Sequence, residues 1–280
     1  MRICWGASNI SVEHMKSKYR IINVIDIEGD HLLWPEWESF RYSENGKPDL
    51  SVSVCSISEY RYGLEIIPTQ PGPPVLKCED ALLCVNSTWD HARITLLENG
   101  SAGLPGLLSG LLLTHLSTRG GMLFHASLVE TEEGGILFTG PSGIGKTTQA
   151  ELWQKYRNGT IINGDMVFIH CRDGKYYGCG SPWHGSSPYC ENRQVEIKGI
   201  VVLKKRMENE IRPLYGGKLL QSMMDAVFLP GWYPEGAAAV CDNLAGFLAH
   251  TPVYELGCRP DLEAVALLER TLFPSAAGQR

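Results

Sequence analysis

One short stretch constrains this chain more than any other: GPSGIGKTT, residues 140–148. It satisfies G-x-x-x-x-G-K-[ST] through Gly140, Gly145, Lys146 and Thr147. Such a loop works only between a strand that delivers it and a helix that leaves it. Its glycines let successive backbone N–H groups turn inward onto a phosphate, and the helix adds the positive end of its dipole at the same point. The flanks comply: ILFTG (136–140) reads as a buried strand, and KTTQAELWQKYR from Gly145 reads as a helix ending near Asn158–Gly159. Gly140, Ser142, Gly143, Ile144, Gly145, Lys146, Thr147 and Thr148 are therefore the expected nucleotide-binding set. Lys146 is placed to reach the β- and γ-phosphates, and the Thr147 hydroxyl to coordinate Mg²⁺.

Around the loop, strand and helix signals alternate. MLFHASLVE (122–130) reads as a buried strand carrying His125, followed by a turn at Glu132–Gly135. Further strands are expected at Thr160–Asn163, Val167–Cys171 and Val195–Leu203, and an amphipathic helix at Asp261–Phe273 after Pro260. Before this lies Leu104–Leu116, an apolar helix stopped at 118–121. It is too short to cross a bilayer and is broken by Pro105, Gly106 and Gly110. The first hundred residues read as short strands, at Tyr19–Ile27, Leu50–Ile57, Tyr60–Ile67, Ala81–Val85 and Arg93–Leu97, with a proline-rich break at 68–74. The expectation is two domains: a small β-rich one over 1–100 and an α/β one over 101–280.

Composition limits what these domains meet. With 25 Lys+Arg against 31 Asp+Glu, the net charge of −6 argues against a nucleic-acid partner held by bulk charge. The N-terminal stretch turns polar within a few residues, so no signal peptide or membrane partner is expected. Nine cysteines, scattered without a CxxC pair, read as reduced thiols in a cytoplasm. Cys179 and Cys190 are spaced too widely for a zinc pair.

Several side chains admit two readings from sequence alone. Asp165 in NGD is either a hairpin-turn residue or a carboxylate beside the phosphates, suited to hold Mg²⁺ or accept a proton. His125 is a core histidine, or one that either contacts the γ-phosphate or orients Asp165, while Ser127 is read as packing. Glu196 is a solvent-facing residue opposite Lys198, or a functional carboxylate. Trp183, His184 and Gly185 form a proline-flanked loop in which the tryptophan either recognises a ligand or folds under its own loop. Arg172, Arg193 and Arg206 are surface charges, one of which is available to a transferring phosphoryl group.

His125-Ala-Ser127 before a GxSGxGK[ST] loop, the Asp165-containing hairpin after it and the E-I-K-G strand at 196–199 together resemble the HPr kinase/phosphorylase catalytic domain. That fold is shared with ATP-dependent phosphoenolpyruvate carboxykinase. The resemblance covers about residues 101–273, and SPWHG (181–185) followed by ENRQVEIKGIVVLKK is most similar to small HPr-kinase-like proteins that accompany peptide-modifying enzymes. It implies an α/β, HPr kinase/carboxykinase-like P-loop core behind the β-rich N-terminal domain. It further implies a kinase using ATP and Mg²⁺, with Asp165, His125 and Lys146 catalytic and Thr147, Glu196 and Asp165 holding the metal. The expected acceptor is a hydroxyl on a small molecule or peptide, and a homo-oligomer is compatible with the chain. The chain departs from the family at Gly164, where a second aspartate is usual, and in lacking a recognisable HPr-gripping loop. A non-catalytic nucleotide-binding module and a carboxykinase-like enzyme remain the alternatives.

Overall fold

The computed structural model describes residues 16–30, 35–57, 75–97 and 102–274. The expected strand at 60–67 and the break at 68–74 lie outside them. The chain divides into two compact units, residues 1–19 with 26–109 and residues 20–25 with 110–280. The division falls inside the apolar helix.

The first unit is built on β1 (Lys16–Ile21), β2 (Ile25–Asp30), a 3₁₀ helix (Pro35–Phe40), β3 (Arg41–Tyr42), β4 (Leu50–Ile57), β5 (Val75–Cys78), β6 (Ala81–Val85) and β7 (His91–Leu97). They form one mixed sheet in the order β3-β1-β2-β4-β7-β6-β5, with β2, β4 and β7 parallel. Alternation drives it: Leu50 and Val52 on β4, Leu83 on β6 and Ile94 on β7 are fully buried. The single strand expected at 19–27 is instead two. Ile22–Val24 make a tight turn with Asn23 at φ +56°, a left-handed conformation that asparagine tolerates.

The second unit contains α1 (Leu104–Ser117, reaching back into the first), β8 (Met122–Thr131), β9 (Gly134–Thr139), α2 (Lys146–Arg157), β10 (Thr160–Asn163), β11 (Met166–Arg172), β12 (Lys175–Cys179) and β13 (Gln194–Lys205). β14 (Glu210–Pro213), α3 (Gly216–Met224), α4 (Pro234–His250), β15 (Val253–Cys258) and α5 (Leu262–Leu272) complete it. Eight strands form one mixed sheet, in which the long β8 and β13 change partners along their length. β8 pairs with β11 through 122–125 and with β9 through 126–131, while β13 pairs with β12, β9 and β15 in turn. The pairings β8–β11–β12–β13–β9–β8 therefore close on themselves.

Both faces of this sheet are covered, which explains the near-continuous apolar runs in its strands. Leu137 on β9 and Ile200 and Val202 on β13 pack with Val240, Leu244 and Phe247 of α4 and Met223 of α3. Their neighbours Ile136, Phe138, Val201 and Leu203 pack on the other side with Ala150 and Trp153 of α2 and Val265 and Leu268 of α5. The sequence patterning had assigned nothing between 206 and 260. There α4 carries Gly236, Asp242, Asn243 and Gly246, weak helix formers, and it is held by packing rather than propensity. Among the described residues no helix is long and apolar enough to cross a membrane, and seven cysteines are free thiols.

Candidate functional site

The loop between β9 and α2 takes the form its sequence requires. Gly143 and Gly145 sit at φ +71° and +112°, which a Cβ-bearing residue adopts only with strain, and these two reversals curl the loop over the start of α2. Gly145 is the N-cap of α2 and supplies no side chain to it, so the N–H groups of the first turn lack a side-chain cap. An anion is the natural partner for such an end. The Lys146 side chain runs back along the loop, its Nζ donating to the carbonyls of Gly140 at 3.3 Å and Pro141 at 3.5 Å. Lys146 is 7% exposed, and burial lowers its pKa while the Asp165 carboxylate opposes that shift.

The expected hairpin at NGD is absent, and the reason is informative. β10 and β11 lie end to end along the same edge of β8. Asn163 pairs with Leu128 and Met166 with His125, so the register runs unbroken past Gly164–Asp165. The chain merely bends there, after an irregularity between Ile161 and Asn163. Fully buried Asn163 holds the bend: its Oδ1 accepts from the N–H groups of Asp165 and Met166, both at 2.9 Å. Its Nδ2 donates to the carbonyls of Ser181 and Trp183. Sequence reasoning passed over Asn163, although Asn at the head of an Asx turn was the available signal. Ser127, read as packing, also has a task. Its hydroxyl donates to the Gly164 carbonyl at 2.9 Å, and the Thr147 hydroxyl donates to the same oxygen at 3.3 Å.

The bend carries the Asp165 carboxylate to His125, with Oδ1 at 3.1 Å from Nε2. Burial lowers the His125 pKa below 6.5, the neighbouring Lys146 lowers it further, and Asp165 pulls the other way. The imidazole is thus neutral at neutral pH, donating from Nε2 to Asp165. His125, Lys146, Thr147 and Asp165 face one cavity of about 290 Å³, closed on its far side by His184, Ser186 and Ser187. That 184–187 loop lies directly on the bend. A Cβ on Gly185 would stand 2.7 Å from Asp165 Oδ2, and one on Gly164 would stand 1.9 Å from the Ser187 hydroxyl. His184 Nδ1 donates to the Ser187 carbonyl. Trp183 is the tucked-under alternative, half-buried with its ring edge-on to Phe168 at 6.0 Å.

Glu196 is not brought to this site. β9 and β13 run parallel, with Ile197 level with Gly135 and Val202 level with Thr139, so the phosphate loop lies at the opposite end of the strands. Five residue rises separate the two ends, roughly 16 Å. The Glu196 carboxylate is taken up by Lys198 at 2.6 Å and Lys175 at 3.1 Å, pairings that lower its pKa. A metal role shared with Thr147 is corrected to an ion pair at the far end of the strand. The arginines separate likewise. Arg172 lies over the Tyr177 ring and Arg193 pairs with Glu130. Arg206 instead lines a second cavity of about 340 Å³ against Gly143–Gly145, together with Lys204 and Arg259.

Among the described residues no three His, Cys, Asp or Glu side chains cluster as a metal cage. The oxygen donors lining the cavity of about 290 Å³ include the Thr147 hydroxyl and the Asp165 carboxylate. That set fits Mg²⁺, which rests on one or two protein oxygens and takes the remainder from phosphates and water.

No protein-family model matches the chain, and no curated protein sequence does. Among solved structures, the Hpr(Ser) kinase/phosphatase from Coxiella burnetii aligns over 55% of this chain and 95% of its own, at 13% identity and a TM-score of 0.31. At that level the relation is a distant likeness of structure.

Proposed function

We propose that the second unit is a Mg²⁺- and ATP-dependent phosphotransferase acting on a hydroxyl. The observation that carries this reading is one cavity holding three things at once. They are an uncapped helix N-terminus behind a glycine loop, a buried lysine, and a His125–Asp165 pair able to take up a proton. The first two suit the β- and γ-phosphates of a nucleotide, and the third suits the group that attacks them. The cavity along Gly143–Gly145, edged by Arg206 and Arg259, leaves room for the nucleoside end.

In this mechanism the N–H groups of 143–147 and Lys146 fix the phosphates in line with the acceptor. Thr147 and Asp165 would hold Mg²⁺, which when bound supplies positive charge to the phosphate oxygens. The His125–Asp165 pair receives the hydroxyl proton as the terminal phosphoryl group moves. The 184–187 loop covers one side of the carboxylate, whose side chain remains 32% exposed.

The test is incubation with γ-labelled ATP and hydroxyl acceptors, for the native chain and for Lys146→Ala. Label moving to an acceptor with the native chain, and none with a folded Lys146→Ala, is the expected result. ATP affinity left unchanged in Lys146→Ala would overturn the phosphate-loop assignment. Binding of ATP without transfer to any acceptor would leave a nucleotide-binding module instead.

A further inference from the structure

A third cavity, of about 390 Å³, lies against the opposite side of the phosphate loop. It shares His125 and Ser142 with the 290 Å³ cavity, so the two meet where the end of a bound polyphosphate would lie. Its floor is the loop itself, Thr139 to Ser142, with Val202. Its wall is the end of α3, fixed to β8 by the His125 N–H donating to the Ala226 carbonyl at 2.8 Å and the Phe228 N–H donating to the Leu123 carbonyl at 2.9 Å. The volume is at the small end of ligand pockets.

The polar lining is what selects an occupant. Lys204, at the end of β13, and Asp225, the C-cap of α3, both face this cavity. Both residues are exposed, and neither makes an ion pair or a side-chain hydrogen bond with the other or with any described residue. Two opposite, solvent-exposed charges lining one cavity are available to a ligand carrying both complements. The C-terminal end of α3 adds its partial negative charge beside Asp225, which favours a cation there. Ser222 offers a hydroxyl on the same wall.

We propose that this cavity is the acceptor subsite and that it takes a small hydroxyl compound bearing both an ammonium and a carboxylate group. Asp225 receives the ammonium and Lys204 the carboxylate, which leaves the hydroxyl at His125. This rests on the phosphotransfer reading above. The acceptor oxygen bonds to the terminal phosphorus, and the bond from that phosphorus to the bridging oxygen breaks. ADP leaves with the electron pair, and the hydroxyl proton passes to the free ring nitrogen of His125, whose other nitrogen is held by Asp165.

Binding and transfer are measured separately on the full chain with Mg²⁺. Calorimetry in the presence of ADP compares L-serine, ethanolamine (no carboxylate), glycerate (no ammonium) and glycerol (neither). L-Serine is expected to bind tightest. Asp225→Asn should weaken L-serine and ethanolamine at least tenfold while leaving glycerate and ADP affinity unchanged. Lys204 also edges the nucleoside cavity, so ADP is held saturating, and Lys204→Met should then weaken L-serine and glycerate but not ethanolamine. Glycerol or glycerate binding as well as L-serine, or Asp225→Asn leaving L-serine unchanged, overturns the proposal. So does label passing from ATP to peptide hydroxyls while L-serine fails to bind, an outcome that keeps the kinase reading. L-Serine binding that follows Asp225 and Lys204 without any label transfer supports the subsite and removes the kinase reading.

Discussion

At the scale of single residues, the proposed function turns on Asp165 and what its bend brings it to. Asp165→Asn keeps size and turn-forming capacity but removes the carboxylate charge that supports proton uptake by His125. It is expected to lower kcat by about a hundredfold or more while changing ATP affinity little, because Lys146 and the loop backbone are untouched. Activity near that of the native chain would reduce Asp165 to a bend residue. The His125 environment sets the pH dependence. Its pKa is lowered from 6.5, so the neutral, proton-accepting ring persists as pH falls past 6.5 and is lost only further into acid. The acid limb of kcat/KM should therefore lie below pH 6.5. Asp165 is the group that holds this pKa up, so in Asp165→Asn the residual activity should carry an acid limb at still lower pH. A limb above 6.5, or one unmoved by the substitution, contradicts the pairing.

At the scale of elements, the phosphate loop is held from behind by the contact between α2 and α5. Arg157, in the last turn of α2, meets Glu269 of α5 through two bonds, Nε–Oε1 at 2.7 Å and Nη2–Oε2 at 2.6 Å. The two side chains are 19% and 11% exposed, and the fork geometry raises the Arg157 pKa. Arg157→Met removes both guanidinium bonds from the partly buried Glu269 carboxylate, at a cost of about 1.5–3 kcal/mol. Thermal unfolding should fall by about 5 °C, with ATP affinity nearly unchanged at the native temperature. A loss no larger than that of an exposed pair would mean the bond adds nothing to packing by Trp153, Val265 and Leu268. α2 itself was legible residue by residue, because its loop, its start and its Asn158–Gly159 stop are all local signals. α3, α4, β14 and β15 were not legible. Their apolar faces are short or interrupted by glycine and polar residues, and only the sheet they cover makes them regular.

At the scale of the whole molecule, nucleotide binding should appear as stability. A ligand held by the folded state at a hundred times its Kd adds about 2.7 kcal/mol. Mg²⁺-ATP should raise the unfolding temperature of the second unit. The rise should shrink when EDTA removes the metal and nearly vanish in Lys146→Ala. An equal rise in that variant would place the nucleotide elsewhere. By itself the sequence determined the strand–loop–helix around Gly140 to Thr148 and the buried strand carrying His125. Each of these depends on residues adjacent in the chain, through glycine φ angles, helix capping or period-two burial. Tertiary structure decided the remainder. It turned NGD from a hairpin into a bend on β8, because strand pairing sets register across 37 residues of sequence, as the Ser127–Gly164 bond records. It set Glu196 apart from Thr147, because parallel pairing of β9 and β13 puts that residue level with the start of β9 while the loop leaves from its end. It also gave work to Asn163, whose partners Ser181 and Trp183 reach it only when distant segments pack, and it set Lys204 and Asp225 on one cavity.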